Sequence, residues 1–311
     1  GILADSQKIL SMIITELDEI IEKYGDERKT KIIDYEDDLD IEDLIDEEDV
    51  VVTISHSGYI KRMQIDEYKQ QNRGGKGVIG TKTKEEDFLE QIFIANTHSY
   101  LLTFTNKGKV YWTKVYKIPE GGRYSKGKAI INLVGLEKDE KVSAQIPVRE
   151  FKDEEFLIFA TKFGLVKKTS LKAYSRPRMG GIWGIKLNDG DDVISVVKTT
   201  GDQKLIVATK VGMAVRFNET DVRSVSRHSL GVRGIRLKKK DDEVVGMVVA
   251  DSNRTLLTIT ENGYGKRTEI DDYRLINRGG SGVINIKTSE RNGGVVVIKS
   301  VTDEDELMLI S

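Results

Sequence analysis

Five segments of this 311-residue chain share one pattern, and no other feature constrains the fold so strongly. They are VVTISHSGYIKR (51–62), LLTFTNKGKVYW (101–112), LIFATKFGLVKK (157–168), LIVATKVGMAVR (205–216) and LLTITENGYGKR (256–267). Each runs from an apolar strand through a Thr or Ser to a two-residue turn closed by glycine, then into a second strand. Gly58, Gly108, Gly164, Gly212 and Gly263 are spaced 50, 56, 48 and 51 residues apart. Glycine accepts the positive φ that a tight hairpin turn demands, so the pattern predicts five hairpins at a repeating interval.

Each hairpin is followed by a polar, basic loop and a glycine-led strand: GGKGVIG (74–80), SKGKAIINL (125–133), GGIWGIKL (180–187), LGVRGIRL (230–237) and GGSGVINI (279–286). One more strand, such as VVGMVVA (244–250), precedes the next hairpin. The expectation is four strands per repeat of roughly 50 residues, stacked as blades of a propeller-like disc, because a lone blade cannot bury its faces. GGVVVIKS (293–300) and LMLIS (307–311) read as the start of a sixth repeat, giving five complete repeats and a partial one.

Ahead of the repeats, apolar residues recur at helical spacing over residues 5–24, and Gly25 closes that pattern. The segment 34–49, DYEDDLDIEDLIDEED, holds 11 acids in 16 positions. Residues 1–50 carry 18 acids and 5 bases, leaving 33 acids and 44 bases for the remainder, so a net charge of −2 hides a split of −13 against +11. An acidic leader before a basic body points to a polyanionic partner for the body. The acidic stretch 34–49 could compete with that partner for the basic surface.

Several function classes are excluded or left without support. No apolar run approaches the roughly 18–20 residues needed to span a membrane, and no secretory signal is visible. With no cysteine, disulfides and thiolate metal sites are impossible. His56, His98 and His228 lie far apart, without ligand-spaced partners. No carboxylate pair or Ser/His/Asp set recurs at a loop, and none of the 11 tyrosines is marked as a nucleophile. No catalytic residue and no metal site is therefore assigned, and the cytoplasm is the default compartment.

The chemistry lies in the loops. Residues 71–77 read QNRGGKG. A Walker A loop needs a glycine separated by four residues from its Gly-Lys pair and a Ser or Thr after it. Here those places hold Gln70 and Gly77. A dinucleotide fingerprint fails for want of a βαβ context, and an RGG tail needs low complexity around it. What remains is an ordered loop holding something anionic. Gly74, Gly75 and Gly77 offer close backbone approach, Arg73 and Lys76 supply phosphate-matched charge, and Gln71 and Asn72 add hydrogen bonds. Later loops repeat the theme with Arg123, Lys126 and Lys128, then Arg176 and Arg178, then Arg223, Arg227 and Arg233, then Arg274 and Arg278. The second hairpin arms add Lys61 and Arg62, Lys167 and Lys168, Arg216, and Lys266 and Arg267. Bases at equivalent places in a ring would form a curved phosphate track. Two readings stand on these residues: a noncatalytic domain that wraps DNA, or a propeller-type scaffold that binds a protein or acidic peptide.

QNRGGKG resembles the glycine-rich box of the A chain of bacterial DNA gyrase, usually Gln-Arg-Arg-Gly-Gly-(Lys/Arg)-Gly, with Asn72 in place of the first Arg. GDERKTKI (25–32), EDVVVTISHSGYIKR (48–62), ANTHSYLLTFTNKGKVY (95–111), LGVRGIRL (230–237), ENGYGKRT (261–268) and GVINIKTSERNG (282–293) are similar to that family as well. The resemblance implies the C-terminal domain of that gyrase component. It implies an all-β, six-bladed β-pinwheel over residues 50–311, preceded by an acidic linker (34–49) and by one N-terminal helix with its linker (1–33), the end of a coiled coil. It further implies that double-stranded DNA wraps the basic outer edge without sequence specificity and that Gln71, Arg73, Gly74, Gly75, Lys76 and Gly77 hold it. The wrap would let the enzyme introduce negative supercoils. Implied partners are the gyrase B subunit, together with the rest of the A subunit, in an A2B2 assembly at the bacterial nucleoid. Breakage, ATP and Mg2+ would belong to other parts of that enzyme, with no cofactor in this domain. The box disfavours the equivalent domain of topoisomerase IV, a close rival.

Overall fold

The computed structural model describes residues 6–26, 41–66, 89–122 and 125–305. The chain divides into two compact bodies, residues 1–44 and 45–311. In the first, helix α1 (Ser6–Tyr24) falls where the apolar spacing predicts it. The Gly25 N–H closes it on the Ile21 carbonyl at 2.7 Å. None of its residues is buried, and Leu10, Ile13, Ile14, Leu17, Ile20 and Ile21 form an exposed apolar face.

The second body is built from the hairpin repeats. The first supplies β1 (Asp49–Ser55), β2 (Tyr59–Gln64) and β3 (Leu89–Asn96). The second supplies β4 (Tyr100–Thr105), β5 (Lys109–Lys114), β6 (Lys128–Ala129) and β7 (Val142–Val148), with a short helix α2 (Ile130–Val134) after β6. The third supplies β8 (Phe156–Thr161), β9 (Leu165–Ser170), β10 (Ile182–Trp183) and β11 (Val193–Thr199). The fourth supplies β12 (Lys204–Thr209), β13 (Met213–Asn218), β14 (Val232–Arg233) and β15 (Val244–Val249). The fifth supplies β16 (Thr255–Thr260), β17 (Gly265–Glu269), β18 (Val283–Ile284) and β19 (Val295–Val301). All five turn glycines have positive φ, between 77° and 86°. The Thr or Ser three residues earlier secures four of the turns, its hydroxyl accepting from the N–H of Tyr59, Lys109, Leu165 or Met213.

The repeats and the blades are out of phase. The sheets run β3-β1-β2-β6, β10-β5-β4-β7, β11-β8-β9-β14, β15-β12-β13-β18 and β17-β16-β19. Three strands of each blade come from one repeat, while the two-residue glycine-led strand pairs with the hairpin of the repeat before it. Val232, for example, sits opposite Val166, and Val283 opposite Ala214.

This arrangement corrects the expected blade count. The described residues form five blades, four of four strands and a fifth of three, not six. The run assigned to a sixth repeat is β19, and it pairs backwards with β16, from Thr255↔Val301 to Thr260↔Val295. Every long third strand looks in sequence like a prelude to the next hairpin, but its hydrogen bonds belong to the hairpin behind it. Residues 307–311 lie outside the described residues.

The core lies between blades rather than within them. One cluster joins Val50, Val52 and Ile60 of the first blade to Leu101 and Tyr111 of the second. Similar clusters join the second to the third, the third to the fourth and the fourth to the fifth. The third strands β7, β11, β15 and β19 pack successively on one another and form the hub.

Candidate nucleic-acid interface

The sheet order places each exchanged strand at the end of its blade opposite the hub, so β6, β10, β14 and β18 form the rim. Glycine is required there by close packing. Gly282 has φ +73°, and a Cβ on it would lie 2.1 Å from the Ala214 carbonyl oxygen. The basic loop before each rim strand is anchored at both ends, by a 3-10 turn at its start and by the strand at its end. In the third repeat the turn is Leu171–Tyr174, and the Trp112 indole N–H holds the Tyr174 carbonyl at 2.9 Å.

Exchange decides the fate of the bases on the second hairpin arms. Lys61 is 3% exposed and its ammonium donates to the Gly122 and Ser125 carbonyls of the following repeat, at 3.0 and 2.9 Å. Arg62 donates to the Ile118 carbonyl at 3.0 Å and pairs with Glu120 at 3.1 Å. Lys167, 1% exposed, donates to the Gly184 and Arg227 carbonyls at 2.5 and 2.7 Å. Lys168 pairs with the fully buried Glu219 at 2.9 Å and reaches the Gly201 carbonyl at 3.2 Å. Arg216 donates to the Ile270 and Tyr273 carbonyls and meets Asp271 at 2.8 Å. These five cations fasten the first, third and fourth hairpins to the repeat that follows, and their charged groups face inward. Desolvation has the expected consequence. Burial lowers the Lys61 pKa, and burial with the nearby Arg227 charge pushes Lys167 down to about 7. The equivalent pair in the fifth blade, Lys266 and Arg267, is exposed, because no exchanged strand covers β17 among the described residues. There Arg267 pairs with Asp303 at 2.8 Å.

The rim loops display the remaining bases. Lys126, Lys128, Arg176, Arg178 and Arg233 are exposed, as are Arg223 and Arg274. The Lys126 ammonium rests 3.9 Å from the centroid of the Tyr59 ring. Arg227 and Arg278 are half-buried. Arg278 donates to the Asp221 and Arg233 carbonyls at 2.8 and 3.1 Å, so it ties its loop to the preceding repeat. Gln71, Asn72, Arg73, Gly74, Gly75, Lys76, Gly77 and Arg123 lie outside the described residues.

Sequence reasoning passed over one periodic set. Lys186, Arg236 and Lys287 each follow a rim strand at the same phase, in GIKL, GIRL and NIKT, and all three are exposed. The Lys186 N–H bonds the Ser229 carbonyl and the Arg236 N–H bonds that of Gly280, which places two of these bases where consecutive rim loops meet. The repeated phase was a usable signal, hidden because the motif reads as the inner end of a core strand.

Among the described residues no group of three or more His, Asp or Glu is placed to hold a metal ion. No helix among them is long and apolar enough to cross a membrane. Residues 49–96, 99–149, 155–200, 203–251 and 254–302 each match the family model described as DNA gyrase C-terminal domain, beta-propeller. All 311 residues align at 51% identity with the gyrase A protein of Clostridium acetobutylicum, covering 37% of that protein. The chain thus spans about a third of the length of the relatives it matches. Two solved structures share the fold. The C-terminal domain of DNA topoisomerase IV matches with a TM-score of 0.71 at 29% identity, over 83% of this chain and 79% of that one. A DNA gyrase A C-terminal domain matches with a TM-score of 0.66 at 32% identity, over 83% and 84%.

Proposed function

The chain belongs to the DNA gyrase C-terminal domain family, and from that premise we propose that its rim binds, bends and wraps duplex DNA. One observation carries the reading: exposed bases stand on the rim segments of successive blades, Lys126 and Lys128, then Arg176 and Arg178, then Arg233, then Arg274. Their charge suits a continuous backbone of phosphates. The described rim is made of loops and two-residue strands, and the five-residue α2 beside it is too short to read a major groove. Binding therefore follows shape and charge rather than base sequence. Bending costs several kcal/mol over a few tens of base pairs and is offset by contacts at successive blades. Lys61, Lys167, Lys168 and Arg216 are left out of the contact set because carbonyls inside the fold already hold them. Gln71, Arg73, Gly74, Gly75, Lys76 and Gly77 join the set by resemblance to the family box, and Asn72 and Arg123 by the polar chemistry of their loops.

In this reading the domain is a noncatalytic part of a type IIA topoisomerase. A wrap of fixed hand presents a nearby DNA segment to the strand-passage gate and yields negative supercoils. The partners are the B subunit, together with the remainder of the A subunit, in an A2B2 assembly whose other parts use ATP and Mg2+. The test is DNA topology. Nicked circular DNA is ligated in the presence of the 311-residue chain, stripped of protein, and its linking difference counted. A linking change of fixed sign, lost when Arg73 and Lys76 or Arg176 and Arg178 are changed to Ala, supports the reading. Salt-sensitive binding without any linking change overturns it.

A further inference from the structure

Lys167 is buried where two rim segments meet. It is 1% exposed on β9. Its Nζ donates at 2.5 Å to the carbonyl of Gly184, just past the third repeat's rim strand, and at 2.7 Å to that of Arg227, in the fourth repeat's rim loop. One side chain thus joins the rim segments of two successive repeats. Its neighbour Lys168 has the Glu219 carboxylate at 2.9 Å. Lys167 has carbonyls instead, and no carboxylate within ion-pair reach among the described residues. Beside it lie the Phe159 ring, 5.4 Å from Nζ, and the Tyr174 hydroxyl, which donates to the same Gly184 carbonyl at 3.2 Å.

Such a site accommodates either protonation state. A neutral amine has two N–H groups for the two carbonyls, and an ammonium gains from the neighbouring aromatic ring. Burial without a counter-ion disfavours the charge. Arg227, half-buried in the rim loop, adds repulsion, and the two effects together bring the Lys167 pKa down to about 7. The other titratable neighbours do not offset this. Burial raises the Tyr174 pKa, so its phenol stays neutral, and the charge of Lys168 is matched by Glu219. His228, next to Arg227, is exposed. The first blade repeats the arrangement. Lys61 is buried against the Gly122 and Ser125 carbonyls, in the loop that exposes Lys126, and burial lowers its pKa as well.

We propose that Lys167 is a proton-linked positioning residue for DNA, taking up a proton when a duplex phosphate settles on Arg227. This rests on the DNA-binding part of the reading above. The phosphate cancels the repulsion from Arg227 and brings the negative charge that the site lacks. The resulting ammonium strengthens both carbonyl bonds, because charged donors make the stronger hydrogen bonds. It thereby fixes the third and fourth repeats' rim segments relative to each other under the duplex. Lys167 itself touches no phosphate. Linkage sets the sign: from about pH 7 upward the bound chain holds more protons than the free chain, so affinity falls as pH rises.

The experiment titrates the 311-residue chain calorimetrically with a duplex of a few tens of base pairs, in Tris and in HEPES at equal pH and ionic strength. The difference in heat, divided by the difference in buffer ionisation enthalpy, counts the protons taken up. Measurements start at about pH 7.5, above the ordinary imidazole range. The wild-type chain takes up a fraction of a proton per bound duplex, and its affinity falls about threefold from about pH 7.5 to about pH 9. Lys167→Met keeps the salt slope, because no phosphate contact is lost. It lowers the uptake and the pH dependence by about half or more. Arg227→Ala, with Lys167 in place, lowers both in the same way, so the test survives a methionine variant that fails to fold. His228→Ala retains both. Binding without proton uptake in the wild type overturns the proton link and leaves the DNA reading intact. So does uptake that is undiminished in Lys167→Met or Arg227→Ala, or lost in His228→Ala. A wild-type chain that does not bind the duplex overturns the DNA reading itself, and the proton link with it.

Discussion

The ammonium of Lys168 lies 2.9 Å from the carboxylate of Glu219, in a pair with side chains only 7% and 0% exposed. The two residues belong to successive repeats. Glu219 also accepts from the Thr199 hydroxyl at 2.6 Å and from the Gly201 and Gln203 N–H groups, so its acceptor capacity is well used. The pair welds the third blade to the start of the fourth repeat's loop.

Removing one partner of that pair strands a buried charge. Glu219→Gln should lower unfolding free energy by about 3–5 kcal/mol, whereas Lys168→Met combined with Glu219→Gln should cost less than the two single changes added together. Urea unfolding of the three variants measures the coupling, and purely additive costs would dissolve the weld.

Lys61 and Lys266 occupy the same place after the turn glycine, yet one is buried against carbonyls and the other is exposed. Lys61→Met should lower Tm and leave the salt slope of DNA binding unchanged. Lys266→Ala should leave Tm within about 1 °C while removing up to one phosphate contact, a change of about 0.9 in the slope of log K against log salt. The reverse pattern would mean that burial does not separate latch from contact.

Stability should rise with pH above neutrality. The Lys167 pKa is about 7 in the folded chain against the ordinary 10.5. Between those values the unfolded chain holds a proton that the folded chain has released, so the contribution is complete above about 10.5 and fades as pH falls toward 7. Lys61, also lowered by burial, acts in the same direction. Thermal melts from about pH 7 to about pH 9.5 should show the rise, flattened in Lys167→Met. A melt indifferent to pH in the wild type would contradict it.

Two glycines with nearly equal φ should respond very differently to alanine. Gly263 has φ +77°, and nothing lies within 4 Å of the place a Cβ would take, so Gly263→Ala should cost about 1–2 kcal/mol of backbone strain alone. Gly282, at φ +73°, meets the Ala214 carbonyl, and Gly282→Ala should cost more and release β18 from β13. Hydrogen exchange at the Ala214 and Val283 amides reports that release.

The bases that follow the rim strands provide a last comparison. Lys186→Ala and Arg236→Ala should each reduce the salt slope by about 0.9 if DNA crosses the junctions of consecutive rim loops. Unchanged slopes would confine the DNA to the loop tips.

Much of this fold was legible. The glycine spacing predicted the hairpins, the apolar spacing of residues 5–24 predicted α1, and the basic loops pointed to the exposed rim. The partner of each strand was not legible. GGVVVIKS reads as the first strand of a new blade because apolar alternation records which face a residue turns to the core, while nothing local records which neighbour takes its hydrogen bonds. Lys167 and Arg178 are equally basic in sequence, yet one is buried under Gly184 and Arg227 and the other is exposed.

The amino-acid sequence by itself determined the number of hairpins, their turn geometry and the family, because these depend on residue types at short, repeated spacing. Only the tertiary structure decided that glycine-led strands cross to the preceding blade, that the described residues form five blades rather than six, and that most of the second-arm bases are internal fasteners. Those outcomes turn on contacts between residues far apart in the chain, such as Lys61 with Gly122 and Lys167 with Arg227. There burial and carbonyl geometry, not the identity of a lysine, fix whether its charge meets solvent or backbone.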